Sequence, residues 1–178
     1  PAASLLGVCD AAGAVRHYRG NIFASNGTSG ENRTMNDVEI ESYVRGVIPR
    51  ESPASWADRG NGTGINALKA QAVAARSYAL AQGGGLENRR YAYAKTCDTT
   101  NCQVYGGAGT RTSATASVVA IEDLRSDRAV TETALMIRVR AATPLVPVST
   151  EFSSSNGDRT AGVNFPAVDD AGDKIDYN

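Results

Sequence analysis

The chain has 178 residues, 42% hydrophobic and 21% charged, which is long enough for one domain with a genuine core and short for two. A formal charge of −1 and a pI near 5.9 supply no basic field to recruit nucleic acid or anionic lipid. No apolar run approaches the roughly 18 residues of a membrane span.

The chain opens at Pro1 without Met or a signal peptide, as a trimmed mature protein or an excised domain would. Residues 1–36 mix strand-like runs at 15–18 and 21–24 with the turn-rich Ser25-Asn26-Gly27-Thr28-Ser29-Gly30, and so predict a small strand region. The Asn-x-Thr sequons at Asn26, Asn32 and Asn61 are read as polar turns. Ile40, Tyr43, Val44, Val47 and Ile48 then recur at helical spacing with polar residues between them. They predict an amphipathic helix of about two to three turns.

Two prolines punctuate the next segment. Pro49 is expected to stop that helix, and Pro53 to open the next one with Ser52 as its N-cap. Glu51 is thereby placed on a short, stiff connector with Trp56, the single tryptophan, close by. Residues 58–64 form a glycine-rich loop. Residues 65–82 carry Ala67, Ala70, Ala72, Ala74, Ala75, Ala79 and Ala81 and predict a central helix that stops at Gly83-Gly84-Gly85. Gln71, Arg76 and Tyr78 on a helix otherwise made for burial need polar partners.

Farther on, the pattern predicts strands at 91–95 and 103–105, a helix at 112–125, and strands at 134–141 and 148–154 before the turn Asn156-Gly157-Asp158. Helices and strands do not alternate regularly. The expected fold is therefore α+β, a single mixed domain over residues 1–178 with the alanine-rich helix packed on antiparallel strands. Cys97 and Cys102 are close enough to close a small loop, leaving Cys9 alone, a pattern that fits an exported protein.

Two consecutive motifs carry a family resemblance. Val47-Ile48-Pro49-Arg50-Glu51-Ser52-Pro53-Ala54-Ser55-Trp56 is followed by Ala67-Leu68-Lys69-Ala70-Gln71-Ala72-Val73-Ala74-Ala75-Arg76-Ser77-Tyr78-Ala79-Leu80. Together with the segments at 97–107 and 152–160, in that order, the chain from about Asp37 onward closely resembles the SpoIID/LytB family of stage II sporulation protein D and its relatives. The resemblance implies a bacterial cell-envelope or secreted enzyme acting on peptidoglycan strands stripped of stem peptides. The implied reaction is lytic transglycosylation, which cleaves the bond between N-acetylmuramic acid and N-acetylglucosamine and closes a 1,6-anhydro ring. The family's catalytic glutamate falls on Glu51. Other relatives are amidase modifiers, so the alternative is a non-catalytic peptidoglycan-binding module or amidase enhancer, with a cell-wall amidase as partner.

One carboxyl group suffices for this reaction: protonated it donates to the leaving oxygen, and ionised it accepts the proton of the attacking C6 hydroxyl. Ordinary glycosidases use a carboxylate pair, and no second acid stands within the motif. Asp98, in the loop between the two cysteines, is a possible second acid, with turn shaping as its plainer role. Trp56 would stack on a pyranose or anchor the core. Gln71, Arg76 and Tyr78 would bind sugar, position Glu51 or simply bond internally. Ser153, Ser154 and Ser155 would bond sugar hydroxyls or lie on an ordinary solvated edge. Three states are open to Cys97 and Cys102: a disulfide first, then zinc, since some relatives carry a metal near this loop, then reduced thiols. For zinc the one histidine, His17, is distant in sequence and no full ligand set is visible, so no cofactor is expected.

Overall fold

In a computed structural model, the described residues are 5–26, 30–84, 89–141 and 146–150, with the backbone alone at 167–168 and 174–175. The expected α+β class is found. The N-terminal region supplies β1 (Leu6–Cys9), β2 (Val15–Tyr18), β3 (Asn21–Asn26) and β4 (Asn32–Asp37). Strands β3 and β4 form an antiparallel hairpin running from Asn21 opposite Asp37 to Asn26 opposite Asn32. Helix α1 (Ile40–Glu51) and helix α2 (Ile65–Ala81) come next, with a 3-10 helix (Ala54–Asp58) between them. Strands β5 (Gly109–Arg111) and β6 (Val119–Ala120) complete an antiparallel sheet of order β1-β2-β5-β6. Helix α3 (Leu124–Glu132) and the antiparallel pairs β7 (Val139–Arg140) with β8 (Val146–Pro147) and β9 (Ala167–Val168) with β10 (Lys174–Ile175) close the order.

The core lies where the three helices meet. Val44, Val47 and Ile48 from α1, Leu68, Ala72 and Ala75 from α2, and Ala129 and Val130 from α3 are all fully buried. Alanines at every contact turn of α2 let its neighbours approach closely, which is why this helix is central. The Lys69–Glu132 ion pair at 2.5 Å ties α2 to α3 at the rim. Thr150 Oγ1 donates to the Ala74 carbonyl at 2.6 Å, seating the chain after β8 on α2.

Several expectations need correction. Pro49, expected to stop α1, lies inside it, and the helix runs on to Glu51. A proline in the last turn forfeits only its own bond to the Arg45 carbonyl, while Val47 and Ile48 beside it are fully buried and keep the turn seated. Ser52 caps the C-terminal end of α1, its N–H bonded to the Ile48 carbonyl at 2.8 Å, rather than the N-terminus of the next helix. Pro53 precedes the 3-10 helix instead of opening an α-helix.

The helix expected at 112–125 is a turn flanked by β5 and β6, and α3 starts only at Leu124. Hydroxyl side chains at 112–115 compete for backbone groups, as the Ser113–Thr115 side-chain bond illustrates. Asp123 caps α3 by accepting from Arg125 N at 2.9 Å. The strand expected at 134–141 shortens to β7, and residues 91–95 and 103–105 are not strands. The strand expected at 148–154 gives way to β8, which ends at Pro147. Its residues 151–154, with the turn at 156–158, lie outside the described residues.

Candidate functional site

The site is built on one side of α1. Tyr43, Val47 and Glu51 succeed each other at four-residue steps and so share that side. Residues 103–108 are laid along it as a strap. Tyr43 Oη donates to Gln103 Oε1 at 3.2 Å, Val104 N–H donates to Glu51 Oε1 at 2.9 Å, and Gly106 N–H donates to the Gly46 carbonyl at 3.1 Å. Beyond these, Ala108 N–H reaches the His17 carbonyl on β2 at 2.8 Å. The Tyr105 ring lies 4.9 Å from that of Tyr43 and 5.9 Å from that of Tyr18, and its hydroxyl donates to Asn36 Oδ1 at 2.9 Å.

Two glycines make this approach feasible. A Cβ on Gly46 would sit 2.5 Å from Tyr105 Cε2 and 2.8 Å from the Gly107 carbonyl oxygen. Gly107 has φ +71, and a Cβ there would meet the His17 carbonyl at 2.5 Å. The Gly46→Ala variant gives a test of sign. Alanine in an open helix interior would stabilise by about 1 kcal/mol, whereas overpacking against the strap costs about 1–3 kcal/mol. We expect a lower melting temperature by calorimetry; a higher one would mean that the strap does not lie against α1.

Electrostatics track burial. The Tyr43 hydroxyl is pushed well above its usual range by burial first, then by the neighbouring Tyr78 and Tyr105, with the Glu51 charge adding in the same direction. It therefore stays a neutral donor at physiological pH. Burial likewise raises Tyr105. Glu51 itself is half-buried, and Val104 is its one hydrogen-bond partner among the described residues.

The strap begins immediately after a closed loop. Cys97 and Cys102 are joined in a disulfide with Cα atoms 5.6 Å apart, and Cys97 N–H points at Cys102 Sγ. Cys9 is free and exposed. Asp98 is half-exposed and faces Arg16 at 3.3 Å, so its partner lies on the outer sheet and not at Glu51. Zinc would require two thiolates that here are bonded to each other. No group of three or more His, Cys, Asp or Glu side chains is gathered for a metal among the described residues.

The other expected residues are dispersed. Trp56 is half-buried in the 3-10 helix and packs against the core cluster. Tyr78 is half-buried on α2 near enough to Tyr43 to influence its hydroxyl. Gln71 is half-buried, with Nε2 tucked in and without a partner among the described residues.

Arg76 belongs elsewhere. It is 1% exposed and grips both Glu41 oxygens, at 2.9 and 2.7 Å, and the Met136 carbonyl at 2.9 Å. Glu41 is ten residues, or about 15 Å of helix, from Glu51. Of the three roles open to Arg76, internal bonding is the one found, as a buried ion pair with Glu41. Ser153, Ser154 and Ser155 lie outside the described residues. Sequence reasoning missed Gln103 and the Val104 N–H. The only available signal was Tyr43, the one hydroxyl-bearing side chain on the apolar stripe of α1.

A family model described as "SpoIID: Stage II sporulation protein" matches residues 28–139, more than half of the chain. An uncharacterized protein of Brachyspira hyodysenteriae is 41% identical over 73 residues, covering 41% of this chain and 17% of that protein. A Bacillus subtilis protein named "Amidase enhancer" is 44% identical over 64 residues, covering 36% of this chain and 7% of its own length. The chain therefore spans a small part of either relative. No solved structure matches it.

Proposed function

This chain belongs to the SpoIID family, and on that premise we propose that it is a peptidoglycan lytic transglycosylase with Glu51 as its single acid and base. Family membership and the likeness to an amidase enhancer support a cell-wall role. The finer reading rests on one observation: Glu51 ends α1 half-buried, held through one oxygen by a backbone N–H, inside the motif that carries the family likeness.

In this reading the protonated carboxyl donates to O4 of N-acetylglucosamine as the bond from C1 of N-acetylmuramic acid to that oxygen breaks. The resulting carboxylate takes the proton of the muramic acid C6 hydroxyl, whose oxygen bonds to C1 and closes the anhydro ring. No water is consumed, and the carboxyl returns to its starting state. Asp98 is ion-paired with Arg16, and this reading gives both proton transfers to Glu51, whose oxygen is held by Val104 N–H.

Trp56, Gln71 and Tyr78 are the sugar contacts this reading retains, and Ser153, Ser154 and Ser155 keep their proposed role of bonding sugar hydroxyls. The disulfide occupies both sulfurs of the 97–102 loop, so the reading assigns no metal and routes no step through one. An extracytoplasmic location agrees with the disulfide. No helix among the described residues is long and apolar enough to cross a membrane.

The test is mass spectrometry of denuded glycan strands after incubation with the protein. Anhydromuramic ends that depend on Glu51 support the reading; their absence sinks it. The likeness to the amidase enhancer favours a second reading, a module that binds glycan without turnover and accelerates an added cell-wall amidase. Glycan pull-down without anhydro products, with a faster amidase, would select it.

A further inference from the structure

The strap over α1 is anchored to the helix by two backbone N–H groups and by one side chain, Gln103. Gln103 is 1% exposed, and its Nε2 is buried without a partner among the described residues. Its Oε1, accepting from Tyr43, is thus the end that fixes how the carboxamide lies. Tyr43 in turn is 7% exposed, with its ring held against Tyr105. A buried tyrosine hydroxyl needs an acceptor, so each side chain sets the direction of the other.

The residue directly after Gln103 supplies the N–H that grips Glu51 Oε1. The amide plane between residues 103 and 104 is rigid. Fixing Gln103 therefore fixes where the Val104 N–H points, and hence which oxygen of Glu51 is held and which is left for chemistry. We infer that Tyr43 and Gln103 are positioning residues for Glu51, acting through the Val104 backbone N–H. This rests on the transglycosylase reading for its kinetic consequence but not for its geometry. A carboxyl group that must donate and then accept a proton needs one orientation throughout, and a single N–H bond to one oxygen leaves the other free to face substrate.

The experiment compares wild type with Tyr43→Phe, which keeps the ring stacked on Tyr105, and with Gln103→Met. The first readout is the Val104 amide by NMR. Loss of the anchor is expected to speed its hydrogen exchange roughly tenfold, one hydrogen bond's worth, relative to the amides of α2. The second readout is kinetic: kcat falls about tenfold while KM stays within about twofold, because binding contacts are untouched.

A purely structural role would instead weaken all protected amides together, and that outcome overturns the inference. So does a Val104 amide that is unmoved in both variants, or a loss confined to KM. Absence of anhydro products from wild type would sink the enzymatic reading alone, since the Val104 amide still decides the positioning claim.

Discussion

The Glu51→Gln variant should lose about 10²- to 10⁴-fold in turnover of denuded glycan strands, the range that a positioned acid and base contributes. Glutamine keeps the volume and an oxygen able to accept from Val104 N–H, so the local geometry survives while the transferable proton is gone. Melting temperature and glycan affinity should stay close to wild type, because Glu51 makes no ion pair among the described residues and only that one hydrogen bond. Product analysis by mass spectrometry, with calorimetry alongside, separates the outcomes. Equal anhydro product from the variant would remove Glu51 from the chemistry.

The largest effect on stability is expected at Arg76. Replacing it with methionine preserves the aliphatic stem but strands the Glu41 carboxylate, whose side chain is only 14% exposed. Breaking a buried ion pair from one side costs about 3–5 kcal/mol; Glu41 retains an edge to solvent, so about 3 kcal/mol is expected. For a chain of this size that is a melting-temperature loss of roughly 6–12 °C.

The loss has a structural reason beyond the pair itself. Glu41 Oε1 also accepts from Leu135 N–H at 3.2 Å, and Leu135 sits at φ +64, a conformation unfavourable for a side-chain-bearing residue. Arg76 adds a bond to the next carbonyl, Met136. The pair thus clamps the turn after α3 onto α1 and α2. The double variant Arg76→Met with Glu41→Leu should recover part of the loss, since no buried charge is then left unpaired. Denaturant unfolding of the two variants checks this. A single variant as stable as wild type would show that the clamp contributes little.

What could be read from residue order was local. The apolar stripe of α1, the alanine run of α2 and the strands at 15–18 and 21–24 come from periodicity and propensity within one element, and each is found, with β3 extending to Asn26. The motif around Glu51 marked the candidate site because it is contiguous. Failures came where distant partners decide. Pro49 continues α1 because buried neighbours outweigh one missing hydrogen bond. The helix expected at 112–125 lies instead at 124–132, because an Asp123 cap and burial against α1 and α2 outweigh the alanines at 114 and 116.

Fold class and family are legible in the residue order, and so is the motif around Glu51, since each is written in neighbouring residues. Long-range packing sets the rest: Arg76 is paired with Glu41, and residues 103–108 lie across α1 with a backbone N–H on Glu51. The physical reason is the same in both cases. A buried polar group takes whichever partner the packed core brings within about 3 Å, and sequence separations of 35 and 53 residues carry no local signal of that partner.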